Sequence, residues 1–169
     1  LASSLLNRSD CFFHANEIHI RHPKINHSIP AHQDNFYYSL KKSTALTCYI
    51  ILTEQKRSSG GLGFLPKSIS DNKVEPHESS KVTGFSSFVK EKESMKEFYE
   101  YPNTNIGDVI FHHCTTFHRA DSNDSDSPSI AASIRVFSAG LLEKDRDLEK
   151  KYLQNREINR ENKSHKSKK

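Results

Sequence analysis

Cysteine is scarce in this chain of 169 residues. Cys11, Cys48 and Cys114 are odd in number, widely spaced and without a C-x-x-C pair. That pattern excludes a zinc ribbon or a dithiol redox motif and fits a reducing, cytoplasmic setting. Long apolar runs are also missing. No stretch approaches the roughly 18 residues that a membrane-spanning helix needs, and the N-terminus lacks the basic-then-apolar order of a signal peptide. The chain opens on Leu1-Ala2-Ser3-Ser4 with no initiating Met, as expected of a fragment without its upstream elements.

With 34% hydrophobic and 27% charged residues the chain is polar, but its charge is unevenly spread. From Leu141 onward there are ten Lys/Arg and six Asp/Glu. This leaves 15 of the 25 basic and 15 of the 21 acidic residues to a neutral body, while the tail holds the whole excess of +4. Leu141, Leu148 and Tyr152 recur at helical spacing among alternating charges, which predicts a short amphipathic helix. Beyond about Asn155 the helix is expected to fray, because too little apolar surface remains to offset the entropy of ordering. No aromatic residue interleaves the terminal lysines for base stacking, which argues against a nucleic-acid partner. The organisation expected is one domain over residues 1–140 and a charged helical or disordered tail over 141–169.

The body reads mostly as strands. Glu17 to Arg21 alternate, with Ile18 and Ile20 on one face and His19 on the other, and Pro23 ends the run. Thr44 to Thr53 is nearly continuous in apolar and β-branched residues, as in a strand covered on both faces. Gly60-Gly61 punctuates a polar loop before a strand over Leu62 to Leu65, and further strands follow at Val109 to His113 and Ala131 to Ser138. Residues 68–105 are the least legible, with local helix expected around Glu91 to Glu97. Many short strands without repeated helical crossovers predict an all-β, double-sheet jelly roll.

Two segments carry the chemistry. Pro30-Ala31-His32-Gln33-Asp34 places His32 and Asp34 on one side of an extended chain, because side chains two apart share a face. A third ligand, His118, follows Gly107-Asp108-Val109-Ile110-Phe111. Two imidazoles and one carboxylate suit a ferrous ion whose other positions stay open for chemistry. The remaining histidines are weaker candidates. His14, His19, His22 and His27 lack a strand partner two residues away and are expected at walls or surfaces. His112 and His113 lie on opposite faces of one strand, so one at most looks inward; His113, sharing parity with Phe111, has the better claim.

These segments have neighbours that occur together. Ala31-His32-Gln33-Asp34-Asn35-Phe36-Tyr37, the strand Ala45 to Leu52, Gly60-Gly61-Leu62-Gly63-Phe64-Leu65-Pro66-Lys67-Ser68, and Gly107 through His118 stand in order along the chain. Over about residues 15 to 138 it resembles the phytanoyl-CoA dioxygenase family of iron(II)- and 2-oxoglutarate-dependent oxygenases. The resemblance implies a double-stranded β-helix of the cupin type, with His32, Asp34 and His118 as metal ligands. It implies that 2-oxoglutarate fills two open iron positions and dioxygen the last, and that oxidative decarboxylation to succinate is coupled to hydroxylation of a C–H bond in a small organic or lipid-like substrate. Related halogenases carry a small residue where this chain has Asp34, so the carboxylate favours hydroxylation.

One departure stands out. Family members usually hold the far carboxylate of 2-oxoglutarate with an Arg eleven positions after the distal His, and that position here is Ser129. Arg135 shares the strand parity of Ser129 and is the candidate cofactor-binding residue, though it lies about 20 Å further along; Arg21 is another source of the cation. Ser129 also leaves open a jelly-roll module that has lost turnover, or a non-oxygenase cupin enzyme using its ion as a Lewis acid. Phe36, Tyr37 and Tyr38 are candidates for either pocket or core. A lid or specificity loop would lie within residues 68–105.

Overall fold

The computed structural model of the chain describes residues 1–68, 73–82 and 84–166, with side chains as far as residue 162. After a one-turn helix α1 (Ala2–Leu6) the chain enters β1 (Cys11–Arg21) and β2 (Ile29–His32). It then turns through a short helix α2 (Asp34–Tyr38) into β3 (Ala45–Ile51) and β4 (Leu62–Phe64), and forms a small hairpin of β5 (Glu78–Ser79) and β6 (Ser87–Phe88). Next come α3 (Glu93–Lys96), β7 (Val109–His113), β8 (His118–Ala120) and β9 (Ser129–Ser138), and after a 3-10 turn at Ala139–Leu141 the chain ends in α4 (Arg146–Lys166). The strands form a four-stranded sheet in the order β1-β9-β3-β7 and a three-stranded sheet β2-β8-β4, antiparallel throughout. This is the expected jelly-roll architecture. No described helix is long and apolar enough to cross a membrane.

Between the sheets lies a cluster of Tyr49, Ile51, Leu62, Ala120 and Ala131, with Ile29, Phe64 and Ile110 packed against it. Burial of a side chain such as Ile51 stabilises by roughly 1.5–3 kcal/mol. The expectation that Thr44 to Thr53 is covered on both faces needs correction. Thr47, Tyr49 and Ile51 are buried, but Cys48 and Ile50 on the outer face are only half-buried, because the second sheet packs on the inner face only. In the second half of β1 the isoleucines face outward. Ile18 and Ile20 are 60% and 54% exposed, while His19 and Arg21 line the cavity between the sheets.

The tail also departs from expectation. Helix α4 does not fray at Asn155 but continues to Lys166, and Leu141 lies in the 3-10 turn outside it. Asp145 Oδ1 accepts from the backbone N–H groups of Asp147 and Leu148, starting the helix. Further along, polar anchors replace an apolar stripe. Asn155 Nδ2 donates to the His77 carbonyl at 3.1 Å and to Ser87 Oγ at 3.2 Å, and buried Asn159 donates to the carbonyls of Ser80 and Phe85. Hydrogen bonding to carbonyls of the β5–β6 hairpin was invisible in the hydropathy pattern. Replacing Asn159 by Ala leaves the carbonyls of buried Ser80 and half-buried Phe85 without this donor, so Asn159→Ala should lower stability by about 1–3 kcal/mol in urea unfolding. An unchanged midpoint would mean that the helix is not held there.

Candidate metal centre

The first half of the centre is built by the chain's passage from strand to helix. Strand β2 ends at His32, Gln33 remains extended (φ −116°, ψ 130°), and Asp34 is the first residue of α2. His32 and Asp34 therefore share a side, although Asp34 is not on a strand. Gln33, fully buried, fixes this turn. Its Nε2 donates to the carbonyls of Thr115 (2.7 Å) and Lys73 (3.2 Å), its Oε1 accepts from Glu75 N–H (2.8 Å), and its own N–H donates to His77 Nε2 (3.1 Å). The Thr115 bond ties the first ligand segment to the approach of the second. Strand β8 then pairs with β2 so that His118 stands directly opposite His32.

His32, Asp34 and His118 offer ligand atoms that all lie within 4.8 Å of one another. Each imidazole is oriented the same way. His32 Nδ1 lies 2.9 Å from the Pro30 carbonyl and His118 Nδ1 lies 3.0 Å from that of Thr116, so Nδ1 carries the proton and Nε2 presents a lone pair. Both Nε2 atoms stand 3.7 Å from Asp34 Oδ1. The other carboxylate oxygen, Oδ2, accepts from Thr47 Oγ1 at 2.8 Å. Burial pushes the His32 imidazole down to about 3, reinforced by His118. Burial alone would raise the Asp34 carboxyl, but His118, His112 and His32 and the Thr47 hydroxyl hold it well below the usual carboxylate range. The site thus presents an ionised carboxylate beside a neutral imidazole, the protonation states that metal binding requires.

The inward-looking histidine of β7 is His112, not His113. His112 is buried, its Nδ1 is 4.0 Å from Asp34 Oδ2, and it pairs across the sheet with Thr47. His113 instead bonds Thr115 Oγ1 at 2.8 Å. Parity with Phe111 misled because Phe111, paired with Cys48, lies on the half-buried outer face, where apolar residues also occur. Burial pushes His112 down to about 3 as well, and His77, whose ring stacks on Phe36 at 4.1 Å, down to about 4.

The three ligand candidates line a cavity of about 420 Å³ together with Tyr37, Tyr38, Thr47 and Phe85. Tyr37 and Tyr38 are therefore wall, while Phe36 is core. His19 also lines the wall, bonded to Ser133 Oγ at 2.8 Å, and His14 stacks on Phe137; His22 and His27 are exposed. Gly84 and Phe85 reach the cavity from the illegible stretch, of which residues 69–72 and 83 lie outside the described residues. Arg135 lines the cavity too, but its guanidinium is bonded to both carboxylate oxygens of Glu17 and lies over the Tyr38 ring. Ser129 is buried at the far end of β9, directly opposite Arg21.

The model of the family described as phytanoyl-CoA dioxygenase (PhyH) matches residues 1–131. The chain belongs to this family. Among solved structures it is similar to EvdO2 from Micromonospora carbonacea var. aurantiaca complexed with 2-oxoglutarate, with a TM-score of 0.70 and 21% identity over 81% of this chain and 56% of that one. It is also similar to SnoK, a non-heme alpha-ketoglutarate-dependent carbocyclase from nogalamycin biosynthesis (TM-score 0.62, 23% identity, 82% and 53% covered). A third neighbour is EctD from S. alaskensis in its apoform (TM-score 0.63, 18% identity, 83% and 49% covered). The chain therefore spans about half the length of these structures. No curated protein matches it significantly.

Two outcomes follow from this geometry. Thr47→Val keeps shape but removes the donor to Asp34, so affinity for ferrous or cobaltous ion, measured by titration, should fall about 10- to 100-fold; unchanged affinity would show that Asp34 needs no such support. His32, His112 and His77 are held neutral in the fold but bind protons below about pH 6.5 when unfolded, so the unfolded state carries more protons in that window. The metal-free protein should accordingly lose stability as pH falls from about 6.5 toward 4, with a declining urea midpoint. A flat midpoint would contradict the buried neutral imidazoles.

Proposed function

We propose that this chain is the catalytic jelly roll of an iron(II)- and 2-oxoglutarate-dependent oxygenase, with His32, Asp34 and His118 holding the metal. The observation that carries this reading is that two imidazole Nε2 atoms each stand 3.7 Å from one carboxylate oxygen at the wall of a cavity. Such a set leaves one face of an octahedral ion open, as oxygen-activating iron requires. Bound there, ferrous iron with 2-oxoglutarate and dioxygen supplies the oxidant for C–H hydroxylation, with succinate and carbon dioxide as co-products.

The chain's own residues do the positioning. Thr47 holds Asp34 Oδ2, leaving Oδ1 directed between the two imidazoles. A carboxylate at this position occupies the place that a halide would need, which supports hydroxylation over halogenation. The walls formed by Tyr37, Tyr38, Phe85, Ile29 and Leu62 suit a small organic or lipid-like substrate.

The test begins without oxygen. Ferrous iron and 2-oxoglutarate added together should produce the visible charge-transfer band of the chelate, and admission of oxygen should yield succinate. Asp34→Ala should abolish the band while leaving the circular dichroism spectrum intact. A folded protein that gives neither band nor succinate would overturn the oxygenase reading.

A further inference from the structure

Two guanidinium groups line the cavity, and they differ in one respect. Arg135 is paired with Glu17. Arg21 has no carboxylate partner among the described residues. Its Nη2 is buried without any hydrogen-bond acceptor, and its Nη1 reaches only the Asp121 carbonyl, at a long 3.4 Å. The carboxylate of Asp121 is taken by Arg57 at 2.6 Å and Arg119 at 3.2 Å. A buried guanidinium with an orphaned donor and no anion is costly unless something supplies the anion. The surroundings are shaped for it: a Cβ at Gly60 would stand 2.9 Å from Arg21 Cδ and 3.2 Å from Nη1, so the absence of a side chain there makes room for the arginine. Tyr49 lines the same cavity.

Arg21 also shares the cavity with the three ligand candidates, at the Ser129 end of β9. It pairs directly with Ser129, the position from which a cation was expected, and adjacent strands lie only about 4.8 Å apart. Arg135 lies in the row of Thr47, which holds Asp34, whereas Arg21 enters from the opposite end of β9. A long side chain on β1 can therefore occupy the space a side chain on β9 would otherwise fill. The geometry points to Arg21 as the anchor for the far carboxylate of the 2-oxo diacid co-substrate, moved one strand across from its usual place. Planar, fixed and always charged, a guanidinium grips a carboxylate through two parallel hydrogen bonds. This assignment rests on the oxygenase reading above.

The experiment measures co-substrate binding rather than turnover, using the anaerobic chelate band of the ferrous protein. Arg21→Gln should weaken 2-oxoglutarate at least about thirtyfold, the loss expected when one partner of a buried charged pair is removed. It should leave unchanged the much weaker binding of 2-oxobutyrate, which has no far carboxylate. Arg135→Gln should not affect the preference between the two acids. The double variant Arg21→Ser, Ser129→Arg returns the cation to the neighbouring strand and should recover most of the 2-oxoglutarate affinity, which also controls for a folding defect in the single variant. Equal affinity of wild type and Arg21→Gln for 2-oxoglutarate, or loss of the preference in Arg135→Gln instead, would overturn the assignment while leaving the oxygenase reading intact. A wild-type protein that forms no chelate would remove both.

Discussion

A carboxylate enclosed between two sheets must have both oxygens answered, and around Asp34 the answers come from four strands. Oδ1 faces His32 of β2 and His118 of β8, while Oδ2 takes the Thr47 hydroxyl of β3 and has His112 of β7 close by. Both sheets are thereby committed to one point. Removing an ionised group from water costs several kcal/mol unless its surroundings replace the lost solvation. Here three imidazoles and a hydroxyl do so, but His32 and His112 are held neutral and so leave the carboxylate's charge in place. A divalent cation bound as proposed would complete the arrangement electrically, which an inert core network would not do.

The same demand explains the polarity of the interior. Facing residues of the larger sheet include Thr47, Ser129 and Ser133, all buried, together with His19, Arg21 and Arg135 at the cavity wall. Strand β1 is arranged accordingly: its isoleucines point outward, while His19 and Arg21 point inward. Alternation was readable in the sequence, because it follows from the pleat. Which face is inside was not, because the rule that apolar residues turn inward assumes a core with no ligand to bind. His112 was misassigned for the same reason. The period-2 pattern correctly separated it from His113, but Phe111 marked the outer face and not the core.

Ordered motifs made the ligand candidates legible: His32, Asp34 and His118 needed only spacing and chain order to be singled out. Their supports were hidden, because hydrogen bonds between distant segments leave no local pattern. Thr47 is an ordinary strand residue in the sequence, and the pairing of Arg21 with Ser129 depends on a register that no single segment encodes. Gln33, by contrast, sits within the motif itself. Its three side-chain hydrogen bonds explain why a polar residue occupies a position with no solvent exposure.

Helix α4 extends this dependence on buried polar contacts to the wall of the cavity. Its Asn155 and Asn159 hold the β5–β6 hairpin, and Tyr152 packs edge-on against Phe36 and Tyr37 of α2. The hairpin in turn receives the Tyr37 hydroxyl at the Ser87 carbonyl, and the Val89 N–H just beyond it donates to the Ala31 carbonyl, immediately before His32. Phe85, between the two hairpin strands, places its ring 5.2 Å from that of His32. A shift of α4 would therefore move two walls of the cavity together, Tyr37 on one side and Phe85 on another. Because asparagine side chains and not an apolar stripe make the attachment, it is directional: the helix can lose hydrogen bonds abruptly, but it cannot slide along the hairpin while keeping them.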